Sequence, residues 1–292
     1  MRALITGGDG QLASDLYALV GEGARAFSHT ELDITDTAAL DRAFAEVEPE
    51  VVFNCAAFHN VDVCEVEREQ AWRVNVEAVR ELALRSPVLV HISTNYVFDG
   101  RRSEPYGELD RPSPRSMYAL TKLAGEYAAL AYAPKALVVR TAGLYGLHGS
   151  ASKGGNFVQR MIARAREQGA LRMVADQRLQ PTFTADLAAA IVAGVDRGAT
   201  GVVHLTSGGE CSWFEFTEAI MRLAGIDVPI EPIETATPRG GVDRPLNGVL
   251  ARPRADALEL PALRAWEDGL AVYMARAGLI PSVSPKQLQG AS

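Results

Sequence analysis

Hydrophobic and polar positions alternate in two rhythms along the first two thirds of the chain. Short unbroken apolar runs, Arg2–Thr6, Ala24–Phe27, Val51–Asn54, Val88–Ile92 and Ala136–Arg140, are each bounded by turn residues. Runs of this length predict strands buried on both faces, as in a parallel sheet. Longer amphipathic stretches between them predict helices over Gln11–Val20, Thr37–Glu46, Glu69–Leu84 and Ser116–Ala131. Strand, helix, strand at this spacing implies right-handed crossovers and an α/β fold, a doubly wound parallel (Rossmann) sheet with helices on both faces.

The rhythm changes after Gly146. Leu147–Gly155, with Lys153, reads as a loop. Strands over Leu171–Ala175 and Val202–Thr206, with a helix over Ala185–Ala193 between them, are expected to rejoin the first sheet. Beyond a Ser207-Gly208-Gly209 turn come a helix at Trp213–Ala224, a proline-dotted stretch from Val228 to Pro253 and a helix near Trp266–Ala277. The expected division is a Rossmann domain over 1–146, a smaller α/β lobe over most of 147–280 and a flexible tail at 281–292. Trp213, Phe214 and Phe216 are expected in the core of the lobe.

Composition narrows the classes of function. With 292 residues, 48% of them apolar and 22% charged, the chain can bury a core without staples. A net charge of −7 repels phosphate backbones, so nucleic acid is not an expected partner. Cys55, Cys64 and Cys211 form no CxxC pair, which fits neither a disulfide framework nor a zinc site and suits a reducing cytoplasm. The five histidines lack metal-ligand spacing, so no catalytic metal is expected. No stretch reaches the ~18 apolar residues of a membrane span. Met1 runs straight into a strand and a glycine turn, which leaves no room for a cleavable leader. Only four of the 29 basic residues are lysines, so the position of each is informative.

Two motifs carry chemistry. In Thr6-Gly7-Gly8-Asp9-Gly10-Gln11-Leu12-Ala13, a strand turns into a helix at glycines. Gly7 allows the tight turn, Gly10 lets backbone approach a pyrophosphate, and the helix N-terminus offers free N–H groups and a positive dipole end. Leu32-Asp33-Ile34-Thr35-Asp36 reads both as a helix cap, at Thr35 or Asp36, and as an adenine neighbour through Asp33 and Ile34. The tip of the second strand, Ser28-His29, carries neither the acid that would bind a ribose 2′-hydroxyl nor an arginine for a 2′-phosphate. NADPH is the preferred expectation and NADH the alternative.

The second motif is Tyr118-Ala119-Leu120-Thr121-Lys122, whose i, i+4 spacing puts phenol and amine on one helix face. It follows a strand ending in Ser93-Thr94-Asn95, at the carboxyl edge where such sheets bind ligands. A carbonyl that accepts hydride from a nicotinamide needs a proton. A phenol near pKa ~10 is a poor donor unless a neighbour such as the Lys122 ammonium lowers its pKa. Thr94 is placed to hold the carbonyl oxygen.

With these motifs in order, the chain resembles the extended short-chain dehydrogenase/reductase family, in particular its dTDP-4-dehydrorhamnose reductase branch. Further matching segments are Asn54-Cys55-Ala56-Ala57-Phe58, Val74-Asn75, Asn156-Phe157-Val158, Asp176-Gln177 and Arg244-Pro245. The resemblance implies reduction of the 4-keto group of a nucleotide-activated deoxysugar, with Tyr118 as proton donor, Lys122 on the nicotinamide ribose and Thr94 on the substrate oxygen. It implies cofactor contacts from Gly7, Gly10, Gln11, Leu12, Asp33, Ile34, Ala56, Ala57, Asn75 and Ser93. It implies substrate contacts from Thr94, Asn95, Asn156, Gln177 and Arg244, the arginine fork suiting a diphosphate. A homodimer, common in the family, is compatible with it.

Departures cluster on the substrate side. Asn95 stands where the branch has Asp, Ala142-Gly143 where it has a Trp, and Phe58-His59 where it has Tyr-Thr. Two alternatives share the fold. One is a cofactor-binding, non-catalytic regulatory subunit, which the intact Thr94, Tyr118 and Lys122 set disfavours. The other is a nucleotide-sugar epimerase.

Overall fold

The computed structural model describes residues 1–148, 155–235 and 242–280. Lys153 and the expected tail at 281–292 lie outside the described residues. The first half alternates as predicted through β1 (Ala3–Thr6), α1 (Gln11–Val20), β2 (Ala24–Phe27), α2 (Thr37–Val47) and β3 (Val51–Asn54). Then come α3 (Val61–Val66), α4 (Arg68–Trp72), a π-helical turn (Arg73–Glu77), α5 (Ala78–Arg85), β4 (Leu89–Thr94), α6 (Met117–Tyr132) and β5 (Ala136–Thr141). The single helix expected over Glu69–Leu84 is thus a broken run that starts eight residues earlier. Glu67, at φ −98° and ψ 59°, separates α3 from α4, and the π turn follows.

The second half contains β6 (Leu144–Tyr145), α7 (Phe157–Gln168), β7 (Leu171–Val174), β8 (Arg178–Leu179), β9 (Thr182–Phe183), α8 (Thr184–Asp196) and β10 (Gly201–His204). It closes with β11 (Cys211–Ser212), α9 (Trp213–Ala224), β12 (Ile230–Ile233), α10 (Pro253–Ala257) and α11 (Trp266–Arg276).

Six parallel strands form the central sheet in the order β10-β5-β4-β3-β1-β2. The chain reverses direction across the sheet between β1 and β3, and that switch point opens a crevice at the carboxyl ends of the strands. Leu12 and Leu16 of α1 with Leu187 and Ile191 of α8 cover one face. Leu40, Val79, Leu82 and Ala129, from α2, α5 and α6, cover the other.

Of the two later strands expected to rejoin this sheet, only β10 does so. β7 pairs in parallel with β12 in a separate two-stranded sheet. An apolar run specifies burial, not which sheet supplies it, and β12 arises from the proline-dotted stretch, with Pro232 tolerated because the strand is an edge. A second core, including Tyr145, Phe216, Ile220 and Tyr273, packs α7, α9 and α11 together. Trp266, Phe157 and Trp213 ring it.

A late segment returns to the sheet. Asn247 N–H donates to Gly100 O at 3.0 Å, and Tyr106 and Val249–Ala251 exchange backbone bonds. This strap brings Pro245 and Gly248 to the crevice mouth.

Candidate active site

A cavity of about 400 Å³ lies along the carboxyl ends of β1, β3, β4 and β5. At one end, Gly10, Gln11 and Leu12 begin α1. Gly7 adopts φ +71°, and a Cβ there would sit 2.9 Å from the Ala56 nitrogen, so the turn can press against the end of β3 only as glycine. Gly8 is equally constrained, because its N–H donates to Phe27 O at 2.7 Å and a Cβ would lie 2.9 Å from the Phe27 carbonyl carbon. Gly10 caps α1 without a side chain, so the first turn presents free N–H groups to the cavity. The donor set and the glycine cradle fit a dinucleotide pyrophosphate.

The middle of the cavity holds Thr94 at the end of β4 and Tyr118 and Lys122 on α6. Ser116 caps α6 by accepting from Ala119 N–H at 3.2 Å, which fixes where the helix begins and hence where the phenol stands. The Thr94 hydroxyl accepts from Tyr96 N–H at 3.2 Å. Tyr96 and Tyr118 meet edge to face, with centroids 6.0 Å apart. Burial pushes the Tyr118 phenol up to about 12, partly offset by the Thr94 hydroxyl. Burial pulls Lys122 down to about 8, with Glu126 opposing. The expected lowering of the phenol by the lysine is not what the structure shows. The amine donates instead to Ile92 O at 2.6 Å, and the offset on the phenol comes from Thr94.

Beneath this trio lies a buried ion pair. Arg140 of β5 grips Glu126 through two bonds, at 2.9 and 2.7 Å, and Ser93 Oγ donates to the same carboxylate at 2.5 Å. All three side chains are nearly inaccessible. Ser93 thus reaches the cavity wall with its hydroxyl already committed.

Of the residues expected from the sequence, Gly10, Gln11, Leu12, Ala57, Ser93, Thr94, Asn95, Tyr118, Lys122 and Gln177 line this cavity, whereas seven others do not. Gly7 and Ala56 shape the turn from behind. The Asp33 carboxylate folds onto Thr35, accepting from its N–H and hydroxyl at 2.9 and 2.8 Å, and Ile34 is buried in the sheet core. Asp36, the second of the two cap candidates, caps α2. Asn75, on the π turn, binds the Phe58 backbone and Thr121 rather than facing the cavity. Asn156 caps α7, and its amide donates to Gly146 O at 2.9 Å and to the Tyr273 hydroxyl at 2.7 Å. Its hydrogen-bonding capacity is spent inside the lobe. Arg244 Nη2 donates to both carboxylate oxygens of Asp62, at 3.0 and 2.8 Å, outside the lining, with its neighbour Pro245 at the wall.

Asn95 has a specific structural use. Its Nδ2 donates to Gly248 O at 3.0 Å, a bond that a carboxylate at this position could not make, and it ties the strap to β4. Gln177 lines the cavity while donating to the Thr235 hydroxyl at 2.9 Å.

Among the wall residues that sequence reasoning gave no role in the site, Trp213, Arg178 and Tyr96 carry the largest side chains. Trp213, expected in the lobe core, opens α9 at the cavity and packs on Phe157 with ring centroids 4.6 Å apart. The capping box from Ser212 to Glu215 is the signal that places it in the first turn. Arg178 lines the same side, held by Glu210 and Glu215. Gly143 adopts φ +58°, with a Cβ there 3.1 Å from Leu179 and Pro181, so the segment that lacks an aromatic is closed by the lobe. His59 also reaches the lining.

The model of the RmlD substrate-binding domain matches residues 1–278. The chain belongs to this family. It is 40% identical over 280 residues to a probable dTDP-4,6-dihydroxy-2-methyloxan-3-one 4-ketoreductase of Streptomyces antibioticus, covering 92% of this chain and 93% of the relative. A crystal structure of a dTDP-4-dehydrorhamnose reductase from Clostridium acetobutylicum matches with a TM-score of 0.88 and 37% identity, over 95% of this chain and all of that one. The dTDP-4-dehydrorhamnose reductase of Bacillus anthracis, solved in complex with NADP, matches with a TM-score of 0.87 and 32% identity, over 94% and 99% of the two chains. The α/β fold with a parallel central sheet is shared with these structures. Among the described residues no helix is long and apolar enough to cross a membrane, and no cluster of three metal-ligating side chains occurs.

Proposed function

We propose that this chain reduces the 4-keto group of a dTDP-activated 6-deoxysugar with a reduced nicotinamide dinucleotide. The observation that carries the reading is the convergence, in one cavity, of Thr94, Tyr118 and Lys122 with the uncapped N-terminus of α1. Relatives across nearly the full length carry names of this activity, and one was solved with NADP.

The dinucleotide, when bound, supplies the hydride. The free N–H groups of α1 hold its pyrophosphate, and Lys122 is the one lysine at the cavity wall among the described residues. The Thr94 hydroxyl holds the substrate oxygen and Tyr118 protonates it. Burial holds the phenol near 12, so Tyr118 is protonated at neutral pH but is a weaker acid than a free phenol, and its donation relies on a nearby positive charge such as the Lys122 ammonium. The aromatic faces of Trp213 and Tyr96 and the Gln177 amide form the substrate wall.

The test is oxidation of NADPH or NADH by the purified protein with dTDP-4-keto-6-deoxysugars. Tyr118→Phe should bind cofactor as the wild type does and lose turnover by about 10²-fold or more. A wild-type rate in that variant overturns the assignment.

A further inference from the structure

Asn95 follows Thr94 at the end of β4, is buried and lines the cavity. Its side chain joins that strand end to the strap. Nδ2 donates to Gly248 O at 3.0 Å, and because a carbonyl oxygen only accepts, the amide can face it only with its nitrogen. Oδ1 therefore points the other way, 3.4 Å from the Thr94 hydroxyl. The strap is fitted to this amide. A Cβ at Gly248 would stand 2.3 Å from Nδ2 and 3.3 Å from Arg178 O.

The strap is bonded on both flanks. On the Rossmann side, beside the bond from Asn247 N–H to Gly100 O, the Asn247 amide donates to Arg102 O at 2.9 Å. Gly100 adopts φ +68°, and a Cβ there would lie 2.5 Å from Pro245 Cα, so a glycine is what lets the strap come this close. On the lobe side, Gly248 N–H donates to Arg178 O at 2.8 Å and Arg178 N–H donates to Leu246 O at 2.7 Å. Leu250 N–H donates to Gln180 Oε1 at 2.9 Å. Gly248 thus sits between Asn95 of the Rossmann side and Arg178 of the lobe, and all three line the cavity.

We propose that Asn95 is a positioning residue for the nucleotide sugar: its amide holds the strap wall, Pro245 and Gly248, at a set distance from the Thr94 hydroxyl. The inference rests on the reading of this cavity as a reductase site. A sugar held between Thr94 and the strap binds best when that spacing exists before it arrives, because ordering the strap during binding would be subtracted from the affinity. The tie acts on binding rather than on the hydride step. Thr94 keeps its bond from Tyr96 N–H whether or not the strap is attached, so the hydroxyl stays oriented when the tie is cut.

Two variants of the full-length protein cut the tie from opposite ends. Asn95→Leu keeps the approximate shape of the side chain and removes its donor. Gly248→Ala sets a methyl against the end of the Asn95 side chain, which can swing away. Hydrogen exchange is read first and needs no substrate. The Asn247 and Leu250 amides should exchange about fivefold faster or more in either variant, the effect of one lost hydrogen bond. Unchanged exchange overturns the proposal. Steady-state kinetics should then show KM for a dTDP-4-keto-6-deoxysugar raised about fivefold or more, kcat within about threefold of the wild type and the Kd for NADPH unchanged. The double variant should be no worse than the worse single one, since both remove the same bond. A fall in kcat at constant KM, or two effects that simply add, overturns the proposal. If Asn95→Leu does not fold, Gly248→Ala decides alone. A wild type that reduces no such sugar overturns the reductase reading, and this is distinguishable from failure of the tie, which shows in the exchange alone.

Discussion

Asn75 holds Phe58 from both sides: Phe58 N–H donates to its Oδ1 at 2.9 Å, and its Nδ2 donates to Phe58 O at 3.0 Å. The same amide donates to the Thr121 hydroxyl at 3.0 Å, one residue before Lys122. A side chain that touches no part of the cavity thus joins the segment after β3 to α6. The π turn that carries Asn75 aims the amide across that gap, a use typical of such turns.

Asn75→Ala should therefore act through structure. It strands the N–H of Phe58, leaves its C=O only the weak Cys64 thiol as donor, and costs about 2–3 kcal/mol in a urea unfolding titration. It should also weaken cofactor binding several-fold by loosening Ala56 and Ala57. Unaltered stability with weakened binding would instead indicate direct contact with cofactor.

Trp213 supplies the aromatic surface that Ala142-Gly143 lacks. Trp213→Ala should raise KM for the nucleotide sugar about tenfold while kcat stays within about threefold, and Trp213→Phe should fall between. Steady-state kinetics with saturating cofactor reads the split. A fall in kcat at constant KM would remove Trp213 from the substrate wall.

The central strands and most helices were legible because parallel strands buried on both faces leave unbroken apolar runs, and amphipathic helices leave a 3.6-residue period. What was not legible depended on long-range partners. β7 looked like any other buried strand, and only its pairing with β12 excludes it from the main sheet. Asn156 is a substrate contact only through the family resemblance, whereas the Asn156-x-x-Gln159 spacing is a capping-box signature and both reciprocal bonds form. Of the site, the turn and the Thr94, Tyr118, Lys122 set were readable from local spacing. The strap at Gly248 lies 153 residues from Asn95, and no local pattern announces it.

Glu31 was overlooked for a similar reason. No acid occupies Ser28-His29, but a turn bonded from Glu31 N–H to Ser28 O brings the Glu31 carboxylate back to the end of β2. There it accepts from Ser28 N–H at 2.9 Å and from the Ser28 hydroxyl at 2.7 Å, bonds that hold it near pKa 2. The carboxylate is also paired with the Arg25 guanidinium at 3.1 Å, so it opposes a 2′-phosphate only as far as that pairing leaves its charge uncompensated. Glu31→Gln should shift the NADPH-to-NADH ratio of kcat/KM toward NADPH by about three- to tenfold, and less so in high salt. An unchanged ratio would place the 2′ position away from this tip.

Lys122 carries a stability cost with a defined pH signature. Its folded-state value of about 8 lies below the ordinary lysine range, so between about pH 8 and 10.5 the unfolded chain holds a proton that the folded chain has released. Stability from this group therefore rises with pH across that window, and the cost is greatest below it. Lys122→Met removes a desolvation penalty of up to about 3 kcal/mol and loses the bond to Ile92 O, worth about 1. The variant should be more stable than the wild type by about 1–2 kcal/mol at pH 7 and lose that advantage by about pH 10. Tyr118, raised to about 12, contributes the opposite slope above pH 10, but it does so in both proteins and cancels in the difference. Urea unfolding of the two proteins at pH 7, 8, 9 and 10 reads the slope directly. A difference that does not change with pH would mean that the buried amine titrates in the folded protein as it does in the unfolded one.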